Sequence, residues 1–342
     1  MAANSDSGGA QVAFSADGTL VYVPGAAADT THPIDWMTRD GKVSTLRAEE
    51  ATWANSRLSP DGQRLALDVF DGKQRDIWVY EWARDSLTRL TFDSGDEYRP
   101  AWTPDGRRIV SSSDRAKPGT HNLYWVNADG TGEVTRLIES PERQTAFSWH
   151  PGGRFLAFQA NRSDGSATSP DLMILPMEGD AKRGLSPGKP TVFLNTPALE
   201  VSPMFSPDGR WIAYSSNEPG SGLDVYVRPF PGPGGKWRIS TVGGSHAHWS
   251  ATSHELLFQN QGKILFAPYS VVGDSFRPEK PQVWSPTSHV SLGTNYPYDI
   301  HPDGKRLAII AARDETSAVA QDKVVFLFGF GDYLKKIAPG TK

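Results

Sequence analysis

The chain is predicted to be all-β: a seven-bladed β-propeller of four-stranded antiparallel blades, with six or eight blades as the alternatives. Three observations predict this: a short phrase that recurs along the chain, a spacing between copies that fits one blade, and turn residues set between short β-prone runs. The phrase runs apolar or aromatic, small polar, Pro, Asp, Gly, any residue, basic. Clear copies start at Leu58, Trp102, Phe205 and Ile300, and weaker ones at Phe14, Trp149 and Trp249. Successive copies are 44, 44, 47, 56, 44 and 51 residues apart, a period that suits a four-stranded propeller blade.

Each element of a blade follows from local chemistry. In the copy at Trp102, a short strand runs into Pro104-Asp105-Gly106, where Pro presets φ and Gly accepts a positive φ, so a hairpin turn forms. Residues 108–112 then read as a second strand and 122–127 as a third, with Leu123, Tyr124 and Trp125 on alternate sides. Residues 134–138 follow as a fourth after the Asp129-Gly130 turn. The same grammar fits 64–68, 76–82 and 87–92, and again 211–215, 224–230 and 236–241. In the last unit it fits 298–300, 306–311 and 323–328.

One domain over 10–338 is expected, with blades starting near 10, 54, 98, 145, 201, 245 and 296, and 1–9 and 339–342 as flexible termini. Ring closure is open: residues 10–14, or a tail that reads as a short helix or frayed end at 332–337, complete the seam, or no strand is exchanged. Trp53, Trp78, Trp102, Trp125, Trp149, Trp211 and Trp249 read as packing residues between blades, because both faces of a blade are buried. Asp61, Asp105, Asp208 and Asp303 read as caps of their own turns.

Composition narrows the function. The 342 residues carry 35 basic and 39 acidic side chains, a formal charge of −4. This gives no footprint for nucleic acid or an anionic membrane surface. Cysteine is absent, which removes disulfides, thiolate metal sites and thiol nucleophiles. Residues 1–9 lack the apolar stretch of a secretory signal, and runs such as 307–312 are too short to span a bilayer. No Gly-x-Ser-x-Gly elbow or protein-kinase signature is present, and Asn127-Ala128-Asp129-Gly130 reads as a turn and not as a calcium loop.

The repeated phrase, with Arg210-Trp211-Ile212-Ala213-Tyr214-Ser215-Ser216-Asn217 and Asp224-Val225-Tyr226-Val227-Arg228-Pro229-Phe230-Pro231, resembles the TolB-like propeller repeats over nearly the whole chain. Residues 18–25, 87–92 and 130–137 are similar to the C-terminal propeller of bacterial membrane-anchored serine/threonine protein kinases. That resemblance implies a sensor or interaction domain outside the membrane, hence an extracytoplasmic, periplasmic location, with a protein, peptide or small polar ligand as partner. The copy at Trp249 departs from the pattern, having Ser250-Ala251-Thr252-Ser253 in place of the Pro-Asp-Gly turn.

In a propeller, the loops before the innermost strand and those joining the second strand to the third gather at one end of the channel. The candidate ligand-binding residues there are Arg57, Glu97, Tyr98, Arg99, Arg143, Gln144, Glu200, His246, His248, Asn295 and Tyr296. Asn55, Asp96, Ser202 and Tyr298 flank them, and Asp71, Lys73, Arg115, His121, Arg162, Asp164, Asn217 and Glu218 lie in the second set of loops. His246 and His248 are two apart on a strand, so period-2 alternation places both on one face. They are the candidate metal ligands, and the catalytic residues if the protein is an enzyme. His32, His121 and His289 are candidates by residue type alone. A non-catalytic binding module without cofactor is expected. The alternative is a metal-assisted polysaccharide lyase with His246 or His248 as base or ligand of a divalent metal and Arg99 or Arg143 on the substrate carboxylate.

Overall fold

The computed structural model describes residues 12–15, 19–22, 31–161, 170–180, 184–218, 222–287, 296–310, 325–328 and 330. Both termini, the tail 332–337, Arg162, Asp164, His289 and Asn295 lie outside them.

The described strands are antiparallel and gather into small sheets, as β-propeller blades do. Six four-stranded units follow one another. Blade I has the second half of Val43–Leu58, then Arg64–Phe70, Arg75–Glu81 and Ser86–Arg89. Blade II is Glu97–Trp102, Arg108–Ser113, Asn122–Asn127 and Thr135–Arg136. Blade III is Arg143–Trp149, Phe155–Asn161, Asp171–Asp180 and Thr191–Leu194. Blade IV is Glu200–Phe205, Trp211–Ser216, Asp224–Pro229 and Trp237–Arg238. Blade V is Ser245–Trp249, Glu255–Asn260, Lys263–Val272 and Gln282–Val283. Blade VI joins both parts of the chain: Tyr298–Ile300 and Arg306–Ile310 pair with His32–Thr38, which pairs with the first half of Val43–Leu58.

The seam therefore differs from the expectation. Val43–Leu58 serves two blades, as the outermost strand of one and the innermost of the next, and this closes the ring without residues 10–14 or the tail. The phrase at Phe14 belongs to a separate three-stranded sheet of Val12–Phe14, Leu20–Tyr22 and Val325–Leu327. Val325–Leu327 was expected as the third strand of the last unit; His32–Thr38 takes that place. Six blades, the alternative count, is what the described strands build. The phrase at Phe14 has lost the proline of the turn and leads into a strand of only three residues.

Packing explains the recurring residues. Each blade's first strand meets the next blade's first strand, from I to II around to VI and back to I. Trp53, Trp102, Trp125, Trp149, Trp211 and Trp249 are buried between blades, and Trp78 is half-buried in the same layers. Several indoles tie neighbours together: Trp102 Nε1 donates to Arg57 O at 2.9 Å and Trp249 Nε1 to Met204 O at 2.9 Å.

The phrase builds its own turn. Ser59 Oγ donates to Asp61 Oδ1 at 2.5 Å and accepts from Arg64 N at 2.9 Å, while Asp61 Oδ1 accepts from Gln63 N at 3.0 Å. Thr103 with Asp105, and Ser206 with Asp208, repeat this arrangement. These Asp residues are caps, as expected. In blade V, where the Pro-Asp-Gly turn is missing, Ser250 Oγ accepts instead from Ser253 N at 3.2 Å and Ser253 Oγ at 2.8 Å.

The turn glycine also admits the neighbouring blade. A Cβ on Gly209 (φ +72°) lies 2.2 Å from His150 Nε2, and one on Gly62 (φ +68°) lies 2.7 Å from His301 Nε2. His301 Nε2 also meets Gly62 O at 3.0 Å. His150 and His301 thus stitch blades together, consistent with their place at the turns.

Candidate functional site

The innermost strands carry a feature that period-2 reasoning misses. Three residues before the start of the phrase, Asn55, Arg99, Ser202 and His246 have φ of 49°, 57°, 64° and 55°. A register shift accompanies each of them in the pairing with the second strand. Such a bulge breaks the alternation and re-aims side chains. The left-handed backbone costs each non-glycine residue about 1–2 kcal/mol, which packing must offset. The signal was present in the equal offset of these residues from the phrase, but their types share no chemistry.

What the bulges aim inward fills the channel. Tyr296, buried, is its centre: Arg57 lies 4.1 Å and Arg99 5.3 Å from the ring centroid, Phe147 5.9 Å, and the imidazoles of His246 and His248 4.5 and 5.6 Å. Polar contacts hold the plug. Tyr296 N donates to Asn55 Oδ1 at 3.1 Å, and Asn55 Nδ2 donates to buried Asp68 Oδ2 at 2.7 Å. Asp68 also accepts from Arg99 N at 3.0 Å and Arg75 Nη1 at 2.9 Å. A hollow remains at each end, one of about 270 Å³ beside the turn phrases and one of about 280 Å³ at the opposite mouth.

A bulge lies between Ser245 and His248, and the imidazoles of His246 and His248 both pack against the Tyr296 ring while making different polar contacts. His246 Nδ1 meets Ser245 Oγ at 2.9 Å, and His248 Nδ1 meets Asp299 Oδ1 at 2.9 Å. Burial holds the His248 imidazole below its ordinary pKa against the opposing pull of Asp299. Burial alone raises the Asp299 carboxyl, but hydrogen bonds and charge from His248, Arg57 and Leu58 N hold it below its ordinary value. Among the described residues, no three His, Cys, Asp or Glu side chains gather closely enough to hold a metal ion.

The other candidates divide by exposure. Glu97 and Glu200 are fully buried: Glu97 takes Ser113 Oγ at 2.9 Å and Arg115 Nη2 at 2.7 Å, and Glu200 takes Thr196 Oγ1. Burial raises both carboxyls above their ordinary range. Gln144 is buried too. All three are turned away from solvent; Glu97 and Glu200 are held by these contacts, and Gln144 Oε1 has no hydrogen-bond partner among the described residues.

The mouth hollow of about 280 Å³ is lined by Asn55, Arg75, Asp96, Tyr98, Arg99, His121 and Arg143, from blades I to III. Arg143 is exposed; its Nε donates to Tyr98 Oη at 2.8 Å, and no carboxylate among the described residues lies within 4 Å of its guanidinium. The Tyr98 ring meets His121 edge-on at 4.7 Å. Burial, then the charge of Arg143, lowers the His121 pKa to about 4, so this imidazole is neutral at physiological pH. The structure thus brings Tyr98, Arg99 and Arg143 together with His121, while Arg57, His246, His248 and Tyr296 sit in the plug beneath. Nothing in the sequence marks His121 for this place beyond its residue type and loop.

The family model described as the TolB beta propeller domain matches residues 9–187. The chain is 28% identical over 160 residues to the Tol-Pal system protein TolB of Nitratidesulfovibrio vulgaris, covering 46% of this chain and 32% of that protein. It is 25% identical over 192 residues to the uncharacterized peptidase YuxL of Bacillus subtilis, covering 47% and 29%. The matches thus span about a third of the length of these curated relatives. Among solved structures, putative TolB from Agrobacterium tumefaciens aligns at a TM-score of 0.59 and 18% identity, over 82% of this chain and 98% of that one, a likeness of fold. Among the described residues, no helix is long and apolar enough to cross a membrane.

Proposed function

The chain belongs to the TolB β-propeller family, and on that premise we propose that it is a non-catalytic binding module whose channel mouth takes an acidic group of a peptide or protein partner. One observation carries the reading: Arg143 stands exposed at a hollow that also holds Arg99 and Arg75, and it faces a phenol and a neutral imidazole with no carboxylate of its own. A guanidinium in that setting binds a carboxylate in fork geometry, with Tyr98 supplying an amphipathic wall. The plug bounds the site from below, so a ligand rests at the mouth. Asn295 and Tyr296 belong to the same reading, Tyr296 as the floor.

We further propose that the module is the sensing or interaction part of a larger signalling protein and works outside the cytoplasm. The support is the likeness of residues 18–25, 87–92 and 130–137 to the kinase-linked propellers. His246 and His248 lend the metal-assisted lyase alternative no specific observation.

The test is fluorescence polarisation with end-labelled tetraglutamate and tetralysine peptides. Tetraglutamate binds, binds more weakly in raised salt, and loses tenfold or more in affinity on Arg143→Ala. Equal binding of both peptides, or no effect of the substitution, rejects the mouth as an acidic-group site.

A further inference from the structure

The propeller uses one device twice, and only one copy is filled. In blades III and V the third strand runs past the blade and folds back as a hairpin: Met177–Asp180 pairs with Gly184–Pro187, and Tyr269–Val272 with Ser275–Pro278. Register makes Met177 equivalent to Tyr269, Gly179 to Val271 and Leu185 to Phe276. In blade V, Phe276 is buried, with ring centroids 5.3 Å from Trp211, 5.9 Å from Trp249 and 4.8 Å from Tyr269. At the same hairpin Asp274 Oδ1 takes Arg210 Nη2 at 3.0 Å.

Between blades II and III the smaller Met177, Gly179 and Leu185 leave a groove of about 590 Å³. Trp125 and Trp149 line it, with Arg107, Arg108 and Arg154. Trp149 stands where Trp249 stands in blade V, and Arg107 where Arg210 stands, each at the same step along the phrase. Trp149 Nε1 is buried without a hydrogen-bond partner among the described residues, whereas Trp249 Nε1 has Met204 O. Arg107 and Arg154 are exposed, and no carboxylate among the described residues lies within 4 Å of either guanidinium. Among the described residues of the lining the one acidic side chain, Asp105, is engaged by Thr103 Oγ1 at 2.6 Å and Arg107 N at 3.0 Å.

We propose that this groove binds an acidic, aromatic segment of a partner protein, an intermolecular version of what Asp274-Ser275-Phe276 does within blade V. The aromatic ring enters beside Trp149 and Trp125, where Phe276 lies in the other copy. The carboxylate pairs with Arg107 and Arg154 on the rim. This site lies between two blades and is independent of the channel mouth.

The probe is the peptide acetyl-Asp-Ser-Phe-amide, with acetyl-Lys-Ser-Phe-amide and acetyl-Asp-Ser-Ala-amide as controls. Binding to the whole protein is read from the indole N–H resonances, those of Trp125 and Trp149 being assigned through Trp→Phe variants. The acidic aromatic peptide moves the Trp149 resonance at millimolar concentration and the controls do so at least fivefold more weakly. Arg107→Glu weakens the effect by tenfold or more. Leu185→Phe, which fills the groove as Phe276 fills the other copy, abolishes it and leaves the fold intact by circular dichroism. Arg143→Ala leaves it unchanged, which separates this site from the mouth. No movement of either indole, equal response to the controls, or undiminished binding in Leu185→Phe overturns the proposal.

Discussion

The guanidinium of Arg57 lies 4.1 Å from the centre of the Tyr296 ring, so the middle of the propeller is a packed cation–aromatic layer and not an open pore. Tyr296→Ala removes the floor of the mouth and leaves a void lined by Arg57, Arg99 and Phe147. The expected loss of stability is about 3–5 kcal/mol, the range for a buried aromatic truncated to Ala. Urea denaturation measures it. A loss under 1 kcal/mol means the ring is not the plug.

Asp68 is the polar counterpart of that layer. It is fully buried and accepts from Asn55 Nδ2, Arg99 N and Arg75 Nη1. Asp68→Ala strands these donors, two of them on the bulged residues, and is expected to cost about 3–5 kcal/mol. Arg143→Ala, on an exposed residue, is expected to stay within about 0.5 kcal/mol of the parent. Comparing the two unfolding curves separates the fold's polar frame from the surface offered to a ligand.

Acid weakens the protein. Burial depresses the pKa of His32, His150 and His248, and takes His121 to about 4, below the ordinary 6.5. The unfolded chain therefore binds protons that the folded one refuses, and stability falls as pH drops from about 6.5 to about 4. The slope is at most about 1.4 kcal/mol per pH unit for each histidine. Glu97 and Glu200, raised by burial, act in the opposite sense near the low end of that window. Urea midpoints from pH 8 to 4.5 test this; His121→Gln is expected to flatten the slope, and an unchanged slope assigns it to the other histidines.

Two glycine substitutions separate crowding from backbone strain. Gly72→Ala meets nothing within 4 Å at φ +95° and is expected to cost about 1 kcal/mol. Gly209→Ala carries the same backbone penalty and also drives a methyl into His150, so about 2–4 kcal/mol is expected. Adding His150→Ala recovers part of the second loss, and a double-mutant cycle measures the coupling.

The blades were legible because their signal is local. Ser, Pro, Asp and Gly each do one job within five residues, and third strands such as Asn122–Asn127 and Asp224–Pro229 match their β-branched and aromatic runs. The seam was illegible because His32–Thr38 and Val43–Leu58 belong to a blade whose first half lies more than 240 residues later in the sequence. No local grammar records such a partnership. At the channel, Tyr98, Arg99 and Arg143 meet at the mouth and Arg57, His246, His248 and Tyr296 pack beneath it, whereas Glu97, Gln144 and Glu200 are buried elsewhere. The bulge at His246 was not legible, because a left-handed residue inserted in a strand leaves no mark in the alternation of residue types. The burial of Glu97 and Glu200 was hidden for a different reason: their partners Ser113, Arg115 and Thr196 come from neighbouring strands and turns.

The exchange of strands at blade VI sets a timetable for synthesis. His32–Thr38 leaves the ribosome early but has no inner neighbour until Arg306–Ile310 follows, so a long nascent chain carries an open edge that is able to capture the wrong strand. Blades I to V are able to assemble in the order they are made, whereas the circle is locked only near the end of translation. A chain stopped before residue 298 is therefore expected to be an open arc, prone to aggregate through that waiting edge, even though more than four-fifths of the sequence has been made.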